Sequence, residues 1–282
     1  MNTPPTDPKT RRTFIKESAA GTITAGATFP GILSAASNTQ TLRVGLVGCG
    51  GRGTSAAINA MRADENTVVV ALGDVFADQL EKSLGILEKA MPEQTRVEKS
   101  HCFQGFDSYQ KVIESDVDVV LLATPPAFRP QHLKSAIEAG KHVFAECIAA
   151  VDAPGIRSFL KSAELAESQN LGILSGLCWR YDNSARAAQE KIQEGAIGGV
   201  RTVYATFYRE DIGKRYRGSR KPEWSELEWQ LRAWPDFQWL GGDLCVGLCG
   251  GHSVDNSPME EILSIIVRLF MNTKTGPVDF SV

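Results

Sequence analysis

The sequence predicts an α/β fold: a Rossmann-type, doubly wound parallel sheet. Three observations carry that prediction. From Thr41 onward, short apolar β-branched runs alternate with helical patterns, as in a parallel sheet covered by helices. The first run is followed at once by Gly48-Cys49-Gly50-Gly51-Arg52-Gly53. An acidic residue, Asp74, then lies 21 residues past the last of these glycines.

Residues 1–38 are set apart as a targeting segment. A polar, Pro-rich start leads into Thr10-Arg11-Arg12-Thr13-Phe14-Ile15-Lys16, and a mildly apolar Gly/Ala/Thr-rich stretch follows. Ser34-Ala35-Ala36 offers a cleavage region. The paired arginines, Phe-Ile-Lys and the weakly apolar stretch, in that order, resemble a twin-arginine export signal. Export to the periplasm is expected, by a route that carries folded proteins. The alternative is a disordered basic leader.

Residues 39–177 are expected to form the nucleotide-binding domain. Residues 42–47 read as its first strand and 54–61 as its first helix. Each glycine has a mechanical reason: Gly48 allows the tight turn, Gly50 lets the backbone approach a pyrophosphate, and Gly53 permits close helix–strand packing. The phosphates would sit at a helix N-terminus, where unpaired N–H groups and the helix dipole favour an anion. Residues 67–72 supply the second strand, ending at Gly73-Asp74. At that spacing a carboxylate accepts bonds from the adenosine ribose hydroxyls, although a simple turn residue is the alternative. The carboxylate also repels a 2′-phosphate, and no Arg follows directly in Val75-Phe76-Ala77. NAD is therefore expected over NADP.

The alternation continues. Residues 118–123 form a buried strand ending in Thr124-Pro125-Pro126, and 132–139 a helix stopped by Gly140. Residues 142–145 form a strand ending at Glu146, 153–167 a helix, and 171–175 a further strand. Ligands of such sheets bind outside the carboxyl ends of the strands. That rule places Gly48, Asp74, Thr124, Pro125, Glu146 and residues 176–179 around one crevice.

With those landmarks placed, the chain resembles the glucose–fructose oxidoreductase / inositol dehydrogenase / MocA (Gfo/Idh/MocA) family. The matching pieces are Val44-Gly-Leu-Val-Gly-Cys-Gly-Gly-Arg-Gly53, Ala123-Thr-Pro-Pro126 with His132, and Gly140-Lys-His-Val-Phe-Ala-Glu146. Gly176-Leu-Cys-Trp-Arg-Tyr-Asp182, Gly195-Ala-Ile-Gly198 and Arg220-Lys-Pro-Glu-Trp-Ser225 extend the match to residue 243 or so. The resemblance implies NAD(P)-dependent hydride transfer at a sugar or polyol carbon, and a truncated α+β second domain, residues 178–282, whose open sheet floors the substrate site. It implies cofactor contacts from Gly48, Gly50, Gly51, Arg52, Gly53, Asp74, Thr124, Pro125, His132 and Glu146. Arg180 and Tyr181 would bind substrate hydroxyls or tie the two domains together.

The chain departs from the family where chemistry is done. Family members carry a Lys in a Glu-Lys-Pro motif, but here Glu146 is followed by Cys147-Ile148. A thiol cannot replace an ammonium that polarises a carbonyl and shuttles its proton. Lys141 precedes the strand and belongs at the opposite sheet edge. His252, in His252-Ser-Val-Asp255, is the remaining catalytic candidate, and the position one turn earlier is Leu248 rather than an acid. The sequence then ends at Val282, short of a complete family second domain, although residues 257–270 have a helix start and apolar spacing.

Other classes fit poorly. A net charge of −3 carries no basic surplus for nucleic acid, and no long apolar run supports a membrane span in the mature form. The expected partner is a sugar-like small molecule, with homo-oligomerisation open. Six cysteines scattered over 282 residues do not form a disulfide framework, so most are expected to be small buried hydrophobes. Cys245, Cys249, His252 and Asp255 are closely spaced but match no standard zinc signature, and no metal is expected. Trp224, Trp229, Trp234 and Trp239 recur every five residues, which makes no helical stripe. They pack an irregular segment over the second domain or stack on a sugar. Three functions remain: a polyol oxidoreductase, a catalytically impaired nucleotide-binding relative, and an NAD-dependent glycosidase of the same family.

Overall fold

The computed structural model describes residues 40–199 and 220–242. Six parallel strands make one sheet: β1 Leu42–Val47, β2 Thr67–Asp74, β3 Cys102–Gln104, β4 Val119–Leu122, β5 His142–Ala145 and β6 Ile173–Ser175. Their order is β3-β2-β1-β4-β5-β6. The chain works outward from β1 through β2 to β3, then returns to β4 on the other side of β1 and works outward again. β1 and β4 therefore flank the topological switch point, where α/β sheets open a crevice.

The helices are α1 Gly51–Ala63, α2 Ala77–Ala90, α3 Ser108–Glu114, α4 Arg129–Glu138, α5 Ala153–Ser168 and α6 Asn183–Gln193, with α7 Glu226–Arg232 and α8 Gln238–Gly241 in the second described stretch. They cover both faces of the sheet. Ala57 and Met61 of α1 and Leu80 and Leu87 of α2 pack with Val44, Leu46, Val69 and Leu72 in one core cluster. Val112 and Ile113 of α3, Leu133, Ala136 and Ile137 of α4 and Ala166 of α5 pack with Val47, Val120, Leu122 and Val143 in the other. Burial on both faces is why these strands read as continuous apolar runs.

Element boundaries differ from the sequence expectations for identifiable reasons. α1 starts at Gly51 rather than Thr54, because the Gly50 carbonyl already accepts from Thr54 N at 2.9 Å. Packing thus carries Gly53 inside the helix against its low propensity. α4 starts three residues early, with Pro130 in its first turn. α2, α3 and β3 were not expected. β3 is three residues long, and neither helix has a side-chain cap at its start.

Two other expectations are corrected. Of the four described cysteines only Cys49 is buried; Cys102 and Cys147 are half-buried and Cys178 is exposed, and all four are free thiols. The tryptophan-rich segment lies against the nucleotide-binding unit. Ala127 N donates to the Leu240 carbonyl at 3.1 Å, and Leu231, Ala233 and Leu240 are buried. Lys141 does sit at the amino-terminal edge of the sheet, where its Nζ donates to the Val117 carbonyl at 2.8 Å. Among the described residues no helix is long and apolar enough to cross a membrane.

Candidate functional site

The site begins where β1 ends. Gly48 N donates to the Gly73 carbonyl at 2.8 Å, which turns the chain across the end of β2. Gly48 has φ +96°, and a Cβ there would lie 2.7–2.8 Å from the Ala123 carbonyl and Thr124 N. Only glycine accepts both constraints. A Cβ on Gly53 would lie 1.9 Å from the Gly48 carbonyl oxygen and 3.0 Å from the Ala123 Cβ, so α1 seats directly on the loop and on the end of β4. Gly50 and Gly51 are different. Nothing lies within 4 Å of where their Cβ atoms would be, and both line an open cleft.

The end of β2 is tied to the same loop. Asp74 accepts from Cys49 N at 2.7 Å through one oxygen and from Phe76 N at 2.9 Å through the other. Burial raises its pKa, and these two backbone bonds oppose the shift. Each carboxylate oxygen retains acceptor capacity for a further donor such as a hydroxyl. Beside it, burial pushes the Cys49 thiol well above its ordinary value, with Asp74 acting in the same direction. Cys49 is a neutral packing residue here.

The cleft has a volume of about 580 Å³ and lies at the carboxyl ends of β1, β2 and β4, within the range of cofactor and small-molecule sites. Gly48, Gly50, Gly51, Asp74, Thr124, Pro125 and His132 all line it. His132 is buried, stacked on Tyr109 at 4.1 Å between ring centroids, and its Nδ1 lies 3.2 Å from Thr124 Oγ1. Burial, with Arg129 nearby, depresses its pKa to about 4. At neutral pH it is an uncharged hydrogen-bonding group.

The remaining expected residues are distributed around this cleft. Gly53 packs beneath it. Arg52 Nε and Glu146 Oε1 form a 2.6 Å ion pair that links the glycine loop to the end of β5, outside the cleft lining. A Cβ on Gly176 would come within 2.9 Å of Glu146 Oε2, so the end of β6 also crowds this carboxylate. Arg180 and Tyr181 occupy an exposed 3₁₀ turn, Cys178–Tyr181, ahead of α6, whose N-cap Asp182 accepts from Ala185 N at 2.8 Å. Neither lines the cleft. His252, Leu248, the Cys245–Asp255 cluster and the tail helix of residues 257–270 lie outside the described residues.

Cys147 follows Glu146 just past the end of β5. Burial raises its thiol pKa, and Glu146 adds to the shift, so at neutral pH the position carries no charge. Arg129, 3% exposed, lies close by. It donates to the carbonyls of Thr124 and Ile148, fastening the end of β4 to the segment after β5. Burial lowers its pKa to about 10, which leaves it cationic, and its Nε has no hydrogen-bond partner among the described residues. Sequence reasoning missed Arg129, because nothing in its local pattern distinguishes it from a surface arginine in a first helical turn.

The far wall of the cleft was also missed. Lys221, Trp224, Leu231, Arg232 and Trp234 line it from the second described stretch. The evenly spaced tryptophans were a visible signal. Their docking place, set by pairs such as Arg232 with Asp78 across 154 positions, was not.

A glycine loop at a helix N-terminus, an acidic end to β2 and a cleft at the switch point define an NAD-binding Rossmann protein. Residues 42–167 match the Gfo/Idh/MocA family model, described as an oxidoreductase family with an NAD-binding Rossmann fold. The similarity to the Gfo/Idh/MocA oxidoreductase family thus lies in the nucleotide-binding part of the chain. An inositol 2-dehydrogenase of Burkholderia multivorans is 28% identical over 181 residues, covering 63% of this chain and 49% of the relative. A glycosyl hydrolase family 109 protein of Shewanella sp. is 30% identical over 170 residues, covering 60% and 36% respectively. A scyllo-inositol dehydrogenase from Lactobacillus casei, solved with NAD(H) and scyllo-inositol, is 25% identical with a TM-score of 0.46, covering 56% of this chain and 43% of that one. The chain spans about half the length of the inositol dehydrogenases it matches.

Proposed function

We propose that this chain binds NAD in the switch-point cleft and serves hydride transfer to or from a carbon of an inositol-like polyol or sugar. One observation carries the binding: Gly48, Gly50, Gly51, Asp74, Thr124, Pro125 and His132, from four separate stretches of sequence, line a single cleft. The pyrophosphate is assigned to the open side of Gly50 and Gly51 at the start of α1, and the adenosine ribose to Asp74. Thr124, Pro125 and His132 are assigned to the nicotinamide half. Arg52 and Glu146 are assigned to holding the loop against the end of β5. When bound, NAD supplies the hydride acceptor; the protein supplies its orientation. Arg180 and Tyr181 are the proposed substrate contacts and His252 the proposed proton carrier. Residues 178–282 are proposed to be part of the substrate domain, and a homo-oligomer is the proposed assembly. Residues 1–38 are proposed to direct export by the twin-arginine route to the periplasm.

Calorimetric titration of the full chain with NAD and NADP tests the shared premise; tighter binding of NAD is expected. Absence of binding at millimolar cofactor would end the proposal. A second reading, cofactor binding without net turnover, is favoured by the neutral Cys147. The similarity to a family 109 glycosyl hydrolase supports a third. An oxidoreductase accumulates NADH with a polyol, a glycosidase releases sugar without net NADH, and a binding protein does neither.

A further inference from the structure

The segment 220–242 meets the nucleotide-binding unit at Ala127, through the Leu240 carbonyl, and beside Asp74, through Arg232. Arg232 donates to both carboxylate oxygens of Asp78, at 3.0 and 2.9 Å, and through Nε to Glu228 at 2.9 Å. Its guanidinium carbon lies 3.9 Å from the Phe76 ring centroid and 4.7 Å from that of Trp224. A fork on a carboxylate combined with stacking on aromatic rings is a geometry that arginine provides and lysine does not. The Arg232 side chain is 16% exposed. The Asp78 partner holds it charged and is itself shifted down.

This fastening is connected to the cofactor loop. Phe76, under the guanidinium, donates its backbone N–H to Asp74, and Asp74 also accepts from Cys49 N in the glycine loop. Phe76, Asp78, Trp224, Leu231 and Arg232 all line the same cleft as Asp74. An acidic end to β2 marks the adenosine side of a Rossmann site, so this wall encloses adenosine rather than nicotinamide.

Resting on the cofactor assignment above, we infer that residues 220–242 are a clasp over the adenosine end of the dinucleotide, with Arg232 as its positioning residue. The chain segment that closes the site therefore recognises the adenosine half and retains it. Opening the clasp lowers the competent fraction and raises the apparent Kd in proportion.

The test uses the full chain and two variants, Asp78→Asn and Arg232→Lys. Both keep side-chain size, and both remove the bidentate pairing. Calorimetry is run with NAD, with ADP-ribose, which has the adenosine half, and with nicotinamide mononucleotide, which lacks it. NAD and ADP-ribose are expected to weaken about tenfold in both variants, with the mononucleotide within about twofold of the parent. ADP-ribose affinity within twofold of the parent in both variants would overturn the clasp. So would an equal loss for the mononucleotide, which would mark a general loosening of the fold. A parent chain that binds neither NAD nor ADP-ribose would instead overturn the cofactor assignment itself.

Discussion

The glycine loop separates folding from binding, and substitution with alanine divides the two. At Gly53 an added Cβ would lie 1.9 Å from the Gly48 carbonyl oxygen. That atom is backbone, so α1 or the loop must shift, and such overpacking costs about 3 kcal/mol. For a chain of this size the melting temperature would fall on the order of 10 °C. At Gly50 the added Cβ meets nothing within 4 Å, and the residue has φ −66°, which alanine adopts freely. Alanine is a poorer N-cap than glycine, but it also lowers the entropy of the unfolded chain. These effects largely offset, and the melting temperature should move by no more than about 2–4 °C. The new methyl group projects into the space assigned to the pyrophosphate. Losing one charge-assisted hydrogen bond there costs about 1.5–3 kcal/mol, or roughly 10- to 100-fold in NAD affinity. Thermal melts with and without NAD, together with calorimetry, give both quantities. A Gly50→Ala variant that binds NAD like the parent would refute the assignment of the pyrophosphate to this loop.

His132 predicts a pH dependence of stability. Its folded pKa of about 4 lies below its ordinary value of 6.5, so the folded state favours the neutral ring. The stability this contributes is present above about pH 6.5 and is lost as the pH falls toward 4, up to about 3 kcal/mol. Denaturant melts across that range should show the loss, and His132→Gln should flatten it. Cys147→Lys places an ammonium at the end of β5. If the rest of the machinery is intact, NADH formation with inositol should rise by about 100-fold, in line with one general acid–base group; no change would place the deficit elsewhere. Arg11→Lys together with Arg12→Lys should leave the precursor in the cytoplasm, as read by cell fractionation; normal export would remove the twin-arginine assignment.

Much of the nucleotide-binding half was legible in the sequence. The strands Leu42–Val47 and His142–Ala145 occupy the expected residues, because strands buried on both faces write their burial directly as apolar runs. The glycines and Asp74 were legible because their roles are local: one turn, one close approach, one carboxylate at a strand end. What escaped was long-range or short. β3 gains its place from pairing with Leu72, Gly73 and Asp74, and three residues carry no period of their own.

By itself, the sequence determined a parallel sheet of alternating strands and helices and an NAD-type glycine loop with Asp74 at the end of the second strand, since each is a matter of residue type at a fixed spacing. Only the tertiary structure decided which side chains share the cleft. It left Gly50 and Gly51 open to that cleft, with nothing within 4 Å of where their Cβ atoms would be. It buried Arg129 between two carbonyls and neutralised His132, because desolvation depends on everything packed around a group and not on its neighbours in the chain. It also brought Arg232 to Asp78, a contact that arises only when the segment 220–242 folds back over the sheet.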